Sequence, residues 1–200
     1  MATNSEILLK RKQQVVQDAI WNAAIDLFAE KGFDETTVDD IVTGAGVSQR
    51  TFFRYFVSKN DLLGQGMLTY GEALKAAIEA CPKSADVFDV LRKAVLEIAR
   101  TVTSIPRTRD VIAVSIKCSA AREAQLSRMG AVEEIVSQAF AARIGRGREN
   151  ELTSRLLAGL TLKILDVTMR LWFEGGGKDV TVVAERVITR LCNLVPAAGE

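Results

Sequence analysis

Apolar residues recur every three to four positions along almost the whole chain, which is the period of an amphipathic α-helix. Glycine clusters and three prolines, Pro82, Pro106 and Pro196, separate these helical runs. No stretch shows the alternation of apolar and polar residues that is typical of a half-buried strand. The pattern therefore predicts an all-α protein of about nine helices.

The first helix is predicted from about Lys12 to Lys31. It ends at Gly32, which can adopt the left-handed conformation that closes many helices and lets Phe33 fold back onto the last turn. The apolar stripe of this helix is predicted to consist of Val15, Ala19, Ile20, Ala23, Ala24, Leu27 and Phe28.

Three segments follow, and a residue suited to cap a helix opens each of them. The stretches 37–40 and 58–61 have the pattern of capping boxes, in which two side chains bond each other's backbone N–H groups. Ser48 is suited to cap the segment between them, and Gly46 allows a sharp turn before it. Two short helices joined by a tight turn are the arrangement of a helix-turn-helix.

A longer helix is predicted from about Asp61 to Ala80. It contains Gly64, Gly66 and Gly71, although a glycine inside a helix costs about 1 kcal/mol relative to alanine. Two explanations stay open. The glycines either allow another helix to pack closely, or they make a pliant helix that shifts between functional states.

The rest of the chain predicts a larger helical body that ends in two strongly apolar helices, one from Asn150 to Phe173 and one from Asp179 to Val195. They carry more apolar surface than one small core covers, so we expect a homodimer through a four-helix interface. A well-buried core pair is the alternative. The expected interface residues are Leu156, Leu160, Val167, Val183, Val187, Leu191 and Leu194.

Composition excludes several classes of function. The 26 lysines and arginines balance 25 acidic residues, so the net charge of +1 does not by itself indicate nucleic acid or membrane binding. The absence of histidine rules out Ser-His and Cys-His catalytic pairs and imidazole metal ligands. The three cysteines are far apart and fit small buried hydrophobes rather than metal ligands or redox sensors. We therefore expect no enzyme activity, no metal and no cofactor.

No apolar segment is long enough to cross a membrane. The apolar run Ile7–Leu9 is too short for the hydrophobic region of a signal peptide. We therefore expect a cytoplasmic protein without a membrane partner.

The segment from Thr36 to Leu63 carries side chains that suit DNA. Val47, Phe52 and Phe56 are expected to face the core, which leaves the other side of the second short helix exposed. Arginine can bond guanine with two donors, glutamine can bond adenine, and threonine can contact the methyl group of thymine. The residues expected to face the DNA are Ser48, Gln49, Arg50, Thr51, Phe53 and Arg54.

Phosphate contacts are expected on both sides of this helix. Thr37 opens the preceding helix and Lys59 lies in the first turn of the next one, so both are placed to bind the DNA backbone. A basic stretch, Lys10 to Lys12, precedes the first helix. It forms either an arm that reaches the DNA or a solvated terminus, and the sequence leaves both open.

Residues 12–63, and above all the string AAIDLFAEKGFDETTVDDIVTGAGVSQRTFFRYFVSKNDLL, resemble the DNA-binding domain of the TetR/AcrR family of bacterial transcriptional repressors. The resemblance implies a helix-turn-helix DNA-binding domain over residues 10–57 and a helical ligand-binding and dimerisation domain over residues 58–200. Phe53 stands where the family usually has tyrosine, and Tyr55 stands where histidine is common. Tyr55 therefore joins the expected DNA-binding residues.

The mechanism that this resemblance implies is ligand-controlled repression. A dimer would bind a pseudo-palindromic operator in double-stranded DNA, and a small molecule would release it. The apolar character of the second domain favours a hydrophobic or amphipathic effector. The candidate lining residues, which also suit an ordinary core, are Met67, Tyr70, Leu91, Ile98, Val102, Ile112, Ile116, Met129, Val132, Leu165 and Met169.

Two other classes of protein could share an all-α fold. An enzyme with an all-α core is disfavoured because the chain lacks histidine, metal-ligand spacing and a phosphate-binding glycine loop. A helical small-molecule carrier or interaction protein with a vestigial helix-turn-helix remains the alternative. The face formed by Gln49, Arg50 and Thr51 argues against it, because a vestigial motif need not keep base-reading side chains.

Overall fold

The structure is a computed structural model that describes residues 4–145, 147–177 and 179–194. The side chains of residues 4, 7, 10 and 64–66 lie outside that description. Every element assigned in the described part is an α-helix, so the predicted all-α fold is confirmed. In chain order the helices are α1 (Asn4–Glu30), α2 (Val38–Ala45), α3 (Gln49–Tyr55), α4 (Lys59–Glu79), α5 (Val87–Ser104), α6 (Thr108–Lys117), α7 (Ser119–Leu126), α8 (Met129–Ile144), α9 (Arg148–Glu174) and α10 (Val180–Cys192).

The described residues thus contain one helix more than the sequence predicted. The additional helix is α7, which begins directly after Cys118 and has no side-chain hydrogen bond at its N-terminus. Its N-cap lacks the serine, threonine or aspartate that usually announces a helix, so no local signal separated it from its neighbours.

The chain divides into two compact units. The first unit comprises Met1–Gly66 and Ala113–Ser127, and the second comprises Met67–Ile112 and Arg128–Glu200. The helices α4 and α6 both continue from one unit into the other. The predicted domains, residues 10–57 and 58–200, divide the chain by function, and that division stays a prediction.

In the first unit, α1 packs on α2 and α2 packs on α3. The predicted turns and caps between them are present. Gly32 and Gly46 adopt positive φ angles of 92° and 64°, which side chains disfavour. Phe33 folds back so that its ring lies 4.7 Å from that of Phe28. These contacts fix how the chain leaves α1 and enters the helix-turn-helix.

The first helix is longer than predicted. It begins at Asn4 rather than near Lys12, so the basic stretch at residues 10–12 lies inside α1 and does not form a separate arm. The added residues include leucine, glutamate, lysine and arginine and no helix breaker, which favours continuation of the helix. Val15 is 67% exposed, so the buried stripe of α1 starts only at Ile20.

Close packing of α8 explains Gly71, one of the three glycines of α4. A Cβ atom at this position would lie 3.3 Å from Val132 Cγ1 and 3.4 Å from Ile135 Cδ1, both on α8. The glycine therefore lets α8 approach α4 closely, which is the packing explanation. The surroundings of Gly64 and Gly66 lie outside the described part of the structure.

In the second unit, α5, α9 and α10 pack on one another, and α8 packs along α9. Their buried side chains form one hydrophobic core. The sequence predicts more apolar surface on α9 than one core covers, and in the single chain one of its faces is open. That face carries Leu152, Leu156 and Leu160, which are 55%, 59% and 37% exposed.

The capping box of α2 yields a test of local stability. Thr37 Oγ1 accepts from Asp40 N, and the Asp40 carboxylate accepts from Thr37 N. We expect Thr37→Ala to lower the free energy of unfolding by about 1 kcal/mol, which corresponds to a fall in Tm of about 2–4 °C. Thermal unfolding followed by circular dichroism measures this, with Thr43→Ala on the exposed surface of α2 as the control. Equal melting temperatures for both variants would contradict it.

Candidate nucleic-acid interface

The orientation of α3 follows from two buried aromatic residues. Phe52 is fully buried and Phe56 is 3% exposed, and their ring centroids lie 5.6 Å apart. The helix has 3.6 residues per turn, so burial of this side leaves the opposite side in solvent. Arg50 and Arg54 lie on that opposite side and are exposed, and Gln49 is exposed at the start of the helix.

An acidic residue of α2 holds Gln49. Its Nε2 donates a hydrogen bond to Asp39 Oδ1, ten positions earlier in the chain. The sequence places Asp39 only within the capping-box stretch at residues 37–40. No local sequence pattern predicts this contact, because it forms only when the tight turn at Gly46 brings α2 and α3 together. Asp39 therefore sets the resting position of a predicted base-reading side chain.

The small hydroxyl residues mainly hold the helix ends. Ser48 caps α3, with its Oγ accepting from Thr51 N at 3.1 Å and lying 2.9 Å from Thr51 Oγ1. Thr37 Oγ1 donates to Asp40 Oδ2 at 2.6 Å. The predicted caps at Ser48 and Thr37 are confirmed, and direct contacts of these hydroxyls with DNA stay predictions.

The last turn of α3 carries an aromatic and cationic group. The guanidinium of Arg54 lies 4.7 Å from the centroid of the Tyr55 ring, and its Nη2 donates to the Tyr55 hydroxyl at 3.1 Å. Phe53 is 54% exposed and lies edge-on to Phe52. An exposed phenylalanine beside a paired cation offers both apolar contact and charge to a partner.

Lys59 has partners that the sequence did not predict. Its Nζ donates to the carbonyl oxygens of Phe33, Asp34 and Thr36 at 2.7, 3.0 and 3.0 Å. These residues form the loop between α1 and α2. The predicted phosphate contact of Lys59 stays untested, and its ammonium is already engaged in this structure.

A second lysine stabilises the start of α2. Lys31 Nζ lies 2.6 Å from Asp40 Oδ2. The hydrogen bond from Lys31, with further bonds from the side chain and backbone of Thr37, lowers the pKa of Asp40 well below its usual range. Asp40 is therefore ionised at neutral pH, and its negative charge lies near the positive end of the helix dipole of α2.

The predicted ligand-site residues gather mostly in one place. Except for Ile116, they belong to the hydrophobic core of the second unit or pack against it. Leu91 and Val132 are fully buried within that core, whereas Met67, Met129 and Met169 are partly buried at its edge. Ile116 is assigned to the first unit and is 49% exposed, so nothing groups it with the others.

Burial raises the pKa of one of these residues, Tyr70, above its usual value, and the nearby Asp166 adds to the effect. The phenol of Tyr70 is therefore neutral and can donate a hydrogen bond. Asp166 itself is paired with Lys163 and Arg170. The charged group nearest in effect to Tyr70 is therefore an ion-paired carboxylate of α9.

The predicted dimer residues differ in exposure, and two of them, Val167 and Val183, are half-buried. Leu156, Leu160 and Leu194 are exposed, and Leu194 lies just beyond α10. Val187 and Leu191 pack against the core of their own unit. Most of the uncovered apolar surface of this set therefore lies on α9 rather than on α10.

Among the described side chains, no group of three or more histidine, cysteine, aspartate or glutamate residues is placed to hold a metal ion. None of the described helices is both long and apolar enough to cross a membrane.

Two family models match separate parts of the chain. Residues 20–65 match the model for bacterial regulatory proteins of the tetR family. Residues 85–196, more than half of the chain, match the model for the MftR C-terminal domain. The chain belongs to the tetR family of regulatory proteins. The resemblance inferred from residues 12–63 is thereby confirmed, and the matched domain contains the helix-turn-helix of this DNA-binding family.

Two relatives differ in how much of their length the chain covers. MftR of Mycobacterium tuberculosis, named for the regulation of mycofactocin biosynthesis, is 35% identical over 86 residues, which make up 43% of each chain. TcmR of Streptomyces glaucescens, an HTH-type transcriptional regulator, is 23% identical over 96% of this chain and 88% of its own. The chain thus spans less than half of the first relative and most of the second.

A solved structure shares the fold. The transcriptional regulator FadR from Bacillus subtilis, in complex with stearoyl-CoA, superimposes with a TM-score of 0.61 at 19% identity. The match covers 88% of this chain and 98% of FadR. At this identity the likeness concerns the fold alone.

The lowered pKa of Asp40 predicts how its contribution to stability depends on pH. A carboxylate whose pKa is lower in the folded state stabilises the fold above its unfolded pKa, about 3.9. That contribution is lost as the pH falls through the folded pKa. We expect Asp40→Asn to lower Tm at pH 6, and the difference from wild type to narrow below about pH 4.

Thermal unfolding between pH 7 and pH 3 checks this expectation. Glu123→Gln on the exposed surface of α7 controls for the loss of one negative charge. If the difference in Tm between Asp40→Asn and the wild type stayed constant from pH 7 to pH 3, the result would count against the ion pair with Lys31.

Proposed function

We propose that the protein is a dimeric repressor that binds a pseudo-palindromic operator through α3 and is released by a small amphipathic molecule. The observation that carries this proposal is the exposed row of Gln49, Arg50, Phe53 and Arg54 beside the buried Phe52. Burial of one side of α3 holds the row outward, as major-groove readout by a recognition helix requires.

Within this row, Arg50 and Gln49 are the proposed base-reading residues. Arg50 is exposed in the first turn of α3, where a recognition helix meets the edges of bases. Gln49 is held by Asp39 through its amide nitrogen. The amide nitrogen has a second N–H donor, so Gln49 can keep this bond while its other N–H and its carbonyl oxygen contact adenine, and Asp39 is expected to orient it.

The proposed dimer is supported by the open face of α9. Leu152, Leu156 and Leu160 recur every four residues and form one apolar row along this helix. Contiguous exposed leucines are costly in water and mark interaction surfaces. A twofold pair through this row would present two α3 helices to major grooves about 34–36 Å apart.

The proposed effector has an apolar body and a polar group. The partly buried Met67, Met129 and Met169 provide adaptable apolar contacts, and Tyr70 provides a neutral hydroxyl beside Asp166. FadR, which shares this fold, was solved with stearoyl-CoA, a molecule with an apolar chain and a polar head. That likeness supports an amphipathic ligand of this general kind, and no more specific one.

Ligand binding can reach the DNA-binding unit through two helices. Both α4 and α6 run from the second unit into the first. Within the first unit, both helices contact the loop between α1 and α2. Lys59, the first residue of α4, donates from Nζ to Asp34 O. Cys118, the residue after α6, has its Sγ 3.7 Å from Asp34 Oδ2. A ligand that favours one arrangement of these helices would shift the population toward a form that releases DNA.

Replacement of Arg50 tests the proposed DNA contact. We expect Arg50→Ala to weaken binding to the specific fragment by about 1–3 kcal/mol if Arg50 reads guanine, with a much smaller loss on unrelated DNA. Fluorescence anisotropy with fragments selected from the source genome measures both affinities. Lys93→Ala, which removes one exposed charge from α5, is the control.

Two outcomes would contradict this expectation. Equal losses on specific and unrelated DNA would make Arg50 a phosphate contact, because phosphate contacts carry no sequence information. Failure of the wild-type protein to bind any genomic fragment at low salt would overturn the proposed function itself.

Replacement of Leu156 tests the dimer. A glutamate in the middle of the α9 row would bury an unpaired charge, which costs about 3–5 kcal/mol. We therefore expect Leu156→Glu to raise the dimer dissociation constant at least about a hundredfold and to weaken operator binding. Sedimentation velocity at micromolar concentration measures the association. Leu126→Glu, at a leucine of α7 that is 57% exposed, is the matched control. A Leu156→Glu protein that stays dimeric would exclude this face.

A further inference from the structure

Lys59 occupies an unusual position for a lysine. It is the first residue of α4, where a positive charge opposes the helix dipole. Its stem, however, carries the ammonium to the loop between α1 and α2. There Nζ donates to the carbonyl oxygens of Phe33, Asp34 and Thr36. The charge thus stabilises carbonyl groups that follow the C-terminus of α1, where a cation is favourable.

These contacts use the full capacity of the side chain. An ammonium group has three N–H donors and no acceptor, and here three carbonyls lie within 3.0 Å. The same Nζ lies 4.8 Å from the centroid of the Phe33 ring, which adds a cation–π contact. A DNA phosphate would therefore have to displace a charge-assisted bond that already exists in the free protein.

The loop that Lys59 holds leads directly to the helix-turn-helix. Residues 33–36 end at Thr37, the N-cap of α2, and Thr36 is itself fixed by a bond from its Oγ1 to Gly32 O. The first turn of α2 carries Asp39, which bonds Gln49 of α3. The position of Gln49 thus depends on a chain of contacts that begins at Lys59.

We propose that Lys59 is a positioning residue, which fixes the α1–α2 loop and thereby the placement of α2 and α3, and that it is not a phosphate ligand. The expected effect of Lys59 on operator affinity rests on the proposed function. Its role in fixing the loop does not, because its contacts with the loop exist without DNA.

The structural part is tested on the free, full-length protein. Lys59→Met keeps the apolar stem over Phe33 and removes all three donors. We expect faster amide hydrogen exchange over residues 33–40 in this variant, by at least about tenfold, because three charge-assisted bonds to the loop are lost. A phosphate ligand would leave this exchange unchanged in the absence of DNA.

The functional part is tested by the salt dependence of operator binding. Each phosphate contact adds about 0.9 to the slope of log K against log salt concentration. For Lys59→Met we expect operator affinity to fall at least about tenfold while this slope stays that of the wild type. Arg54→Met, which removes an exposed cation from α3, is the matched control and should reduce the slope by about 1.

A slope reduced by about 1 for Lys59→Met, together with unchanged exchange of the loop, would overturn the proposal. Circular dichroism checks that the variant is folded. Lys59→Gln, which keeps two donors on a shorter side chain, is measured in the same way if the methionine variant is too unstable. A wild-type protein that binds no DNA would defeat the proposed function, yet the exchange measurement would still decide whether Lys59 holds the loop.

Discussion

The burial of Phe52 is the constraint on which the DNA-binding unit depends. This side chain is fully enclosed, and with Phe56 it fixes the rotation of a helix only seven residues long. So short a helix has little stability of its own, because helix formation in water needs many more residues. Its orientation must therefore come from packing. Once Phe52 and Phe56 face inward, the side that carries Arg50 and Arg54 faces solvent.

Polar contacts then hold this packed arrangement in register. The capping box of Thr37 and Asp40, with the ion pair to Lys31, fixes the start of α2, and Asp39 reaches across the turn to Gln49. Such exposed or half-exposed contacts contribute about 1 kcal/mol or less individually. They set geometry instead, which matters for a surface that must match the spacing of bases.

The second unit depends on apolar packing rather than on polar contacts. Its core is almost entirely apolar, and three of its exposed leucines lie along one face of α9. The partly buried methionines and Tyr70 lie at the edge of the core, where flexible side chains can adapt to the proposed ligand. The edge of the core supports the proposed ligand response, and the exposed leucine row of α9 supports the proposed dimer. Both features belong to the same helical unit.

Local sequence by itself determined the all-α class, the caps at Thr37 and Ser48, the left-handed glycines and the outward row of α3, because periodicity and capping act over a few residues. It missed α7, which lacks a cap signal, and the true start of α1. Only the tertiary structure decided that Lys59 bonds the α1–α2 loop, that Asp39 holds Gln49, and that Gly71 receives α8. Those contacts join residues that the chain brings together only after its helices have packed, and no spacing along the sequence encodes them.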